Sequence, residues 1–328
     1  MIQKLSIFVM ISILLVGCSK KEAIVQKVNS DNHFKLTYSV SIPELKNNLG
    51  SLEILIPVPQ TNDYQTVHDV SIETNGSYTI KREEEYKNKY ASILFSDSLS
   101  ELPSVKMTID VTREENNNFV KKEIVTVEQR NVLDRFLMAD SLVPIGGQMI
   151  EEANKITNDS MDVVQKMKAI YVYLFETMKY DKSGEGWGRG DALYACDIRK
   201  GNCTDFHSLF IGMARSLGVP SRFLIGFPLS PTKSESTIGG YHCWAEFYLE
   251  NHGWVPVDIS EAAKDSTRKD YLFGNLDFDR VTFSVGRDIK VETAHGVESL
   301  NFFIYPQVFI NGESYNNYVK EFSFKKLN

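Results

Sequence analysis

The chain has 328 residues, a net charge of −7 at pH 7, 42% hydrophobic and 24% charged residues, the composition of an ordinary globular protein with no bias toward disorder. The acidic balance and the lack of a basic stripe argue against a general nucleic-acid binder. The length allows two or three domains with sizeable cores.

The first segment reads as a targeting sequence. Lys4 gives one positive charge, and Leu5 to Val16 is a nearly unbroken apolar run of 12 residues. That suits a signal-peptide core and is too short to span a bilayer. The run ends in Leu15-Val16-Gly17-Cys18, which resembles the bacterial lipobox. The resemblance implies a signal peptide over 1–17, a lipid on Cys18, and a polar tether over 18–32. It thus implies a bacterial cell-envelope protein anchored by its N-terminal lipid, facing the periplasm or the cell surface. Cys196, Cys203 and Cys243 then remain, an odd and sparse set that makes no disulfide framework. No Cys/His spacing suggests zinc or another metal, and no cofactor motif is found.

From 33 to 130 the pattern predicts a β-sandwich-like domain. His33 to Val40 alternates with period two, and Leu52 to Pro59 is a strand ended by prolines. Val70–Glu73, Tyr78–Lys81, Ala91–Phe95, Val105–Thr112 and Val120–Val127 are further candidates. Frequent turns between short strands suggest a sandwich. His33 and His68 read as surface or strand histidines.

From 131 to 290 helices enter. Ile145 to Thr157 predicts one helix. Asp159 is a candidate cap for a second, with Val164, Met167, Tyr171, Leu174 and Met178 as its core stripe. The Gly-rich loop Ser183 to Asp191 lacks the Lys-Ser/Thr of a phosphate-binding loop. It can wall a substrate site, with Trp187 as the contact, or serve as a connector. Then comes Gly201-Asn202-Cys203-Thr204-Asp205-Phe206. Phe206, Leu209, Phe210, Met213 and Leu217 form a helical stripe, ended by Gly218 and Pro220. Asn202 is the expected N-cap. Cys203 thus sits where free N–H groups and the helix dipole favour a thiolate. Asp205 reads as a first-turn acid that can also touch substrate. Cys196 and Cys243 read as buried.

Two strands follow, Tyr241 to Tyr248 and His252 to Asp258. Alternation puts His242, Trp244 and Glu246 on one face. A hairpin centred on Glu250 places His242 directly opposite Asp258, with Cβ atoms about 4.5–5.5 Å apart. An imidazole oriented by a carboxylate can keep a cysteine ionised and then protonate a leaving group. His207, one helical turn beyond Cys203, is the alternative base. His252 and His295 read as surface. The last segment, 291–328, reads as a C-terminal β extension.

The stretches Gly201–Phe206, His242–Glu246 and Trp254–Asp258 resemble the three motifs of the transglutaminase-like superfamily. So do Gly190-Asp191-Ala192 to Asp197, Arg215 to Gly226, Gly274 to Arg280 and Gly286 to Asp288. The resemblance is strong over about 145–290. It implies an α+β fold: a papain-like core, with the cysteine at a helix N-terminus packed on an antiparallel sheet carrying histidine and aspartate, after the β-sandwich-like domain. It implies Cys203, His242 and Asp258 as catalytic triad, and no calcium site is matched. Trp187, Asp205 and Trp244 are candidate substrate contacts. The expected activity is that of a cysteine acyl-transferase or hydrolase acting on a protein or peptide, with peptide or isopeptide hydrolysis favoured. Glutamine–lysine cross-linking is the enzymatic alternative, and a non-catalytic binding lipoprotein is the other.

Overall fold

The computed structural model describes residues 31–44, 50–96, 101–117 and 130–327. Cys18, the apolar leader and the expected strand Val120–Val127 lie outside these. No helix among the described residues is long and apolar enough to cross a membrane.

Two five-stranded antiparallel sheets form the first layer pair. One runs Glu235–Thr237, Val319–Lys326, Asp31–Ser41, Ser104–Glu114, Gln65–Thr74. The other runs Glu313–Ser314, Gln307–Ile310, Leu52–Val58, Lys89–Phe95, Ser77–Arg82. Period-two alternation turns Phe34, Leu36, Tyr38 and Val40, with Val105, Met107, Ile109 and Val111, into the core, where they join Ile54, Ile56 and Ile93 of the second sheet. Segment 291–328, expected as an extension, instead supplies strands to both sheets. Val319–Lys326 pairs with Asp31–Ser41, and Gln307–Ile310 pairs with Leu52–Val58. A pairing between residues nearly 300 apart leaves no local signature, so periodicity could find the strand and not its partner.

The second region is a four-stranded antiparallel sheet in the order Gly253–Val257, His242–Leu249, Ser221–Pro228, Arg280–Val285, with helices on one side. Helix Gly147–Asn154 falls within the predicted span. Helix Val163–Thr177 starts later than expected, because Asp162 rather than Asp159 makes the capping box with Gln165. Helix Ala192–Ile198 is capped by Asp191, whose side chain accepts from Leu193 and Tyr194. Helix Cys203–Ser216 lies at the centre. It is buried on every side over Cys203 to Arg215, not along one stripe, because helices cover the faces the sheet does not reach.

Two buried amides join the regions. Gln65 donates to the Thr282 carbonyl at 3.0 Å and accepts from its N–H at 2.8 Å. Asn88 does the same with Val285, at 2.8 and 2.9 Å. Each side chain thus completes the hydrogen bonding of strand Arg280–Val285 as a neighbouring strand would.

Candidate active site

Cys203 is the first residue of its helix. Asn202 caps it, accepting from the Thr204 N–H at 2.9 Å, and the Asp205 carboxylate closes the capping box on the Asn202 N–H at 2.9 Å. Asp205 also accepts from Gly188 at 2.7 Å and Gly190 at 3.1 Å. It therefore fastens the Gly-rich loop to the helix start. Glycine is required on the approach: a Cβ on Gly201 would lie 2.2 Å from an Asp205 oxygen, and one on Gly190 2.6 Å from Ser208 Oγ. Gly190 also holds φ +65°, where L side chains are strained. Arg287 secures the same loop from the far side. It is buried and donates to Ser208 Oγ at 2.6 Å and to the carbonyls of Arg189 and Gly190 at 3.1 and 3.2 Å.

The hairpin register differs from expectation by two residues. Leu249 pairs with Gly253 and Ala245 with Val257, so position 244, not 242, lies across from Asp258. A slip of two preserves the face. The strand ends at Val257, and Asp258 turns away as the N-cap of helix Ile259–Lys264. That turn brings its carboxylate diagonally to His242, with Nε2 to Oδ2 at 2.7 Å. With Nε2 committed to Asp258, Nδ1 is the nitrogen left for the hydrogen bond to the Cys203 sulfur. The structure thus brings Cys203, His242 and Asp258 together, at 3%, 4% and 0% exposure.

The electrostatics favour an ion pair. A hydrogen bond from the Cys243 thiol holds Cys203 well below the usual thiol range; burial opposes this, and bonding and charge from His242 reinforce it. Burial works against a charged His242, but the Asp258 carboxylate and the Cys203 sulfur outweigh it and push the ring up to about 10. Burial would also raise Asp258, yet His242 and Arg280 hold it well below the carboxylate range. Burial and the Cys203 charge keep Cys243 protonated, so it remains a donor.

Arg280 and Cys243 are the contributors that sequence reasoning left without a role. Arg280 is buried, donates to Asp258 Oδ2 at 2.9 Å, and bonds Asp277 at 3.2 Å through Nε and through Nη2. Its place on the strand beyond Ser221–Pro228 depends on tertiary pairing. Cys243 is fully buried, its sulfur 3.9 Å from His207 Nδ1 on the helix that begins at Cys203. Tyr241 adds a third contact, its hydroxyl 3.0 Å from Thr204 Oγ1 and 3.2 Å from Asn202 Nδ2.

Two expected substrate contacts do not face the solvent. Asp205 is fully buried under the loop it holds. Trp244 is fully buried, with the Arg280 guanidinium 5.1 Å from its ring centre. Both are packing and fastening groups. Trp187 is half-buried in the loop, its Nε1 donating to Gly184 at 3.1 Å. His207 is fully buried on the other side of Asp258, and its Nε2 accepts from the Ile259 N–H at 3.1 Å. Burial drives it down to about 4, so it stays neutral at pH 7. A cavity of about 440 Å³ opens beside His242, lined by Leu229, Glu261, Arg268, Asp277 and Arg280 among others.

Comparison with known proteins agrees with this geometry. Residues 151–259 match the model of the transglutaminase-like superfamily core. An uncharacterized protein of Haemophilus influenzae is 27% identical over 341 residues, covering 90% of this chain and 91% of its own. The protein YebA of Bacillus subtilis is 25% identical over 145 residues, covering 40% of this chain and 19% of its own. The crystal structure of a proposed cysteine protease from Cytophaga hutchinsonii shares the fold at 18% identity and a TM-score of 0.56, covering 91% of each chain.

Proposed function

We propose, on the premise that residues 151–259 are a transglutaminase-like core, that the protein is a cysteine-dependent hydrolase of peptide or isopeptide amides. The observation that carries this reading is the buried set of Cys203 at the start of its helix and His242 bonded to Asp258 at 2.7 Å, an arrangement that favours a thiolate beside an imidazolium. The thiolate attacks the amide carbonyl and a tetrahedral oxyanion forms. The Cys203 N–H, at the start of its helix, is placed to donate to that oxyanion. His242 gives its Nδ1 proton to the leaving amine as the C–N bond breaks, and a thioester remains on Cys203. Water then attacks the thioester, His242 takes its proton, and the acid leaves with the thiolate restored. Asp258 keeps the ring oriented throughout, and Arg280 keeps Asp258 in place. An amine in place of water would give a new amide, the cross-linking outcome. The apolar leader and Leu15-Val16-Gly17-Cys18 support attachment to the cell envelope through a lipid on Cys18.

The test is capture by an electrophilic probe, then a peptide library to find a substrate, scored both for released amine and for incorporation of an added amine. Hydrolysis predicts product without incorporation at modest amine concentrations. Failure of the probe to label Cys203 would leave a binding protein on an inactive core. Cys18→Ser should abolish membrane partitioning; unchanged partitioning would remove the anchor.

A further inference from the structure

The outer face of the first sheet brings together three side chains from three strands. His33 lies on Asp31–Ser41, Asp110 on Ser104–Glu114 and His68 on Gln65–Thr74. The central strand is Ser104–Glu114, which pairs with both others. His33 faces Thr112, so Asp110 is its diagonal neighbour, and Nε2 lies 2.5 Å from Asp110 Oδ1. His68 arrives by an irregularity. Pairing jumps from Val67–Val111 to Asp69–Asp110, leaving His68 as the extra residue of a β-bulge. A bulge re-aims the side chain it carries. Here the ring is set 2.8 Å from Thr112 Oγ1 and edge-on to His33, with ring centres 5.3 Å apart.

We propose that His33, His68 and Asp110 form a divalent transition-metal site, of the zinc class, on the sandwich. One ligand atom from each lies within 4.8 Å of the others. Tetrahedral zinc with ligands at about 2.0 Å holds them about 3.3 Å apart. His33 Nε2 and Asp110 Oδ1 lie 2.5 Å apart and no pair exceeds 4.8 Å, so shifts of at most about 1.5 Å at the ligand atoms reach that spacing. Two imidazoles and one carboxylate suit zinc and its neighbours, and disfavour magnesium and calcium, which want all-oxygen shells. On binding, the ion displaces the proton that His33 Nε2 now donates to Asp110, and the neutral ring then carries its proton on Nδ1. The third-ligand side faces solvent at His68, so water completes the shell. Lys35, whose backbone faces Asp110, shares the outer face and is exposed. Its charge lowers affinity rather than filling the site. The ion would tie Asp31–Ser41 to its neighbour Ser104–Glu114 and, across that strand, to Gln65–Thr74. The site does not involve Cys203.

Isothermal titration of the full chain with zinc chloride, after alkylation of Cys203 with iodoacetamide, tests this. One equivalent should bind and raise the melting temperature. His68→Ala and Asp110→Asn should each weaken binding at least roughly tenfold, since each removes one of three ligands, while leaving the metal-free melting temperature near that of the parent. Cobalt substitution should give a spectrum without a sulfur-to-metal band. No saturable binding by the parent, or binding by both variants as tight as the parent's, overturns the site. A sulfur-to-cobalt band would assign the ion to a cysteine and overturn it as well.

Discussion

The two sides of the Asp258 carboxylate carry histidines of opposite character. Both rings are essentially buried, and both lie within 4 Å of the same carboxylate. His242 is held as a cation up to about 10, whereas His207 is held neutral down to about 4. Burial opposes charge on each. The difference lies in what each nitrogen already does. His242 Nε2 meets Asp258 Oδ2 at 2.7 Å, and its remaining nitrogen meets a sulfur anion. His207 Nε2 lies 3.7 Å from Oδ1 and must accept from the Ile259 N–H. Protonation would turn that acceptor against a donor. Oδ1 is itself satisfied by Ser260 Oγ and the Glu261 N–H. Neighbourhood to a carboxylate is therefore insufficient; a free acceptor aimed at the ring decides its charge.

The sharpest way to break this contrast is to exchange the rings' fates. His242→Ala should slow iodoacetamide labelling of Cys203 at pH 6, and turnover of the library substrate, by roughly 10²–10⁴-fold, with an unchanged circular dichroism spectrum. His207→Gln retains an acceptor for the Ile259 N–H and should keep both rates within about tenfold of the parent. Equal losses in the two variants would show that the assignment of roles is wrong.

Next in size is the support beneath Asp258. Arg280→Lys keeps the charge but cannot bridge Asp258 and Asp277 with a rigid fork. Turnover should fall by about tenfold and the melting temperature should drop, since a buried pair left half-made costs on the order of 3–5 kcal/mol. A variant with unchanged thermal unfolding and turnover would remove Arg280 from the machinery.

Cys243→Ala removes the thiol that donates to Cys203. The midpoint of the labelling-rate profile against pH should rise, because a hydrogen bond that favours the thiolate is lost, while the rate at high pH stays near that of the parent. A midpoint that does not move assigns Cys243 to packing alone.

The smallest effect concerns stability. The folded pKa of His207 lies below its unfolded value of 6.5, near 4. Between those limits the unfolded chain binds the extra proton, so stability is lost as pH falls through that window, with a slope of up to about 1.4 kcal/mol per unit. Urea unfolding from pH 7 to 5 should show a shallower acid decline in His207→Gln. His242 and Cys203 contribute little slope near neutrality, because on folding one gains the proton that the other gives up. Parallel declines in parent and variant would contradict the neutral state of His207.

Legibility in the sequence followed the range of the physics. The helix that begins at Cys203, its Asn202 cap and the period-two strands of the sandwich depend on residues a few positions apart. The shared face of His242 and Asp258 needed only parity, so it survived an error of two in register. The register itself is set by the turn: Leu249 pairs with Gly253, so the loop centres on Asn251, which holds φ 63°, and not on Glu250. Sequence position alone puts Trp244 and Asp205 beside the reactive centre, where they are candidates to touch substrate. Burial depends on what covers them, here Arg280 and the Gly-rich loop, both fixed by distant pairings. The bulge at His68 is similarly silent until its partner strand is known.

The strand Asp31–Ser41 lies between Ser104–Glu114 and Val319–Lys326, and this has a consequence for how the molecule is made. A nascent chain can pair the first two as they emerge, but the sheet gains its third member only near the end of synthesis. Meanwhile Asp31–Ser41 offers an open edge able to recruit strands from other molecules. The half that carries Cys203, His242 and Asp258 is produced inside that interval, as an insertion between the sandwich's early and late contributions. A shortened chain lacking its final twenty residues would therefore fail first by self-association, before any change in the chemistry at Cys203, and cutting out residues 131–290 as a cassette would strip strand Arg280–Val285 of the amides that finish its edge.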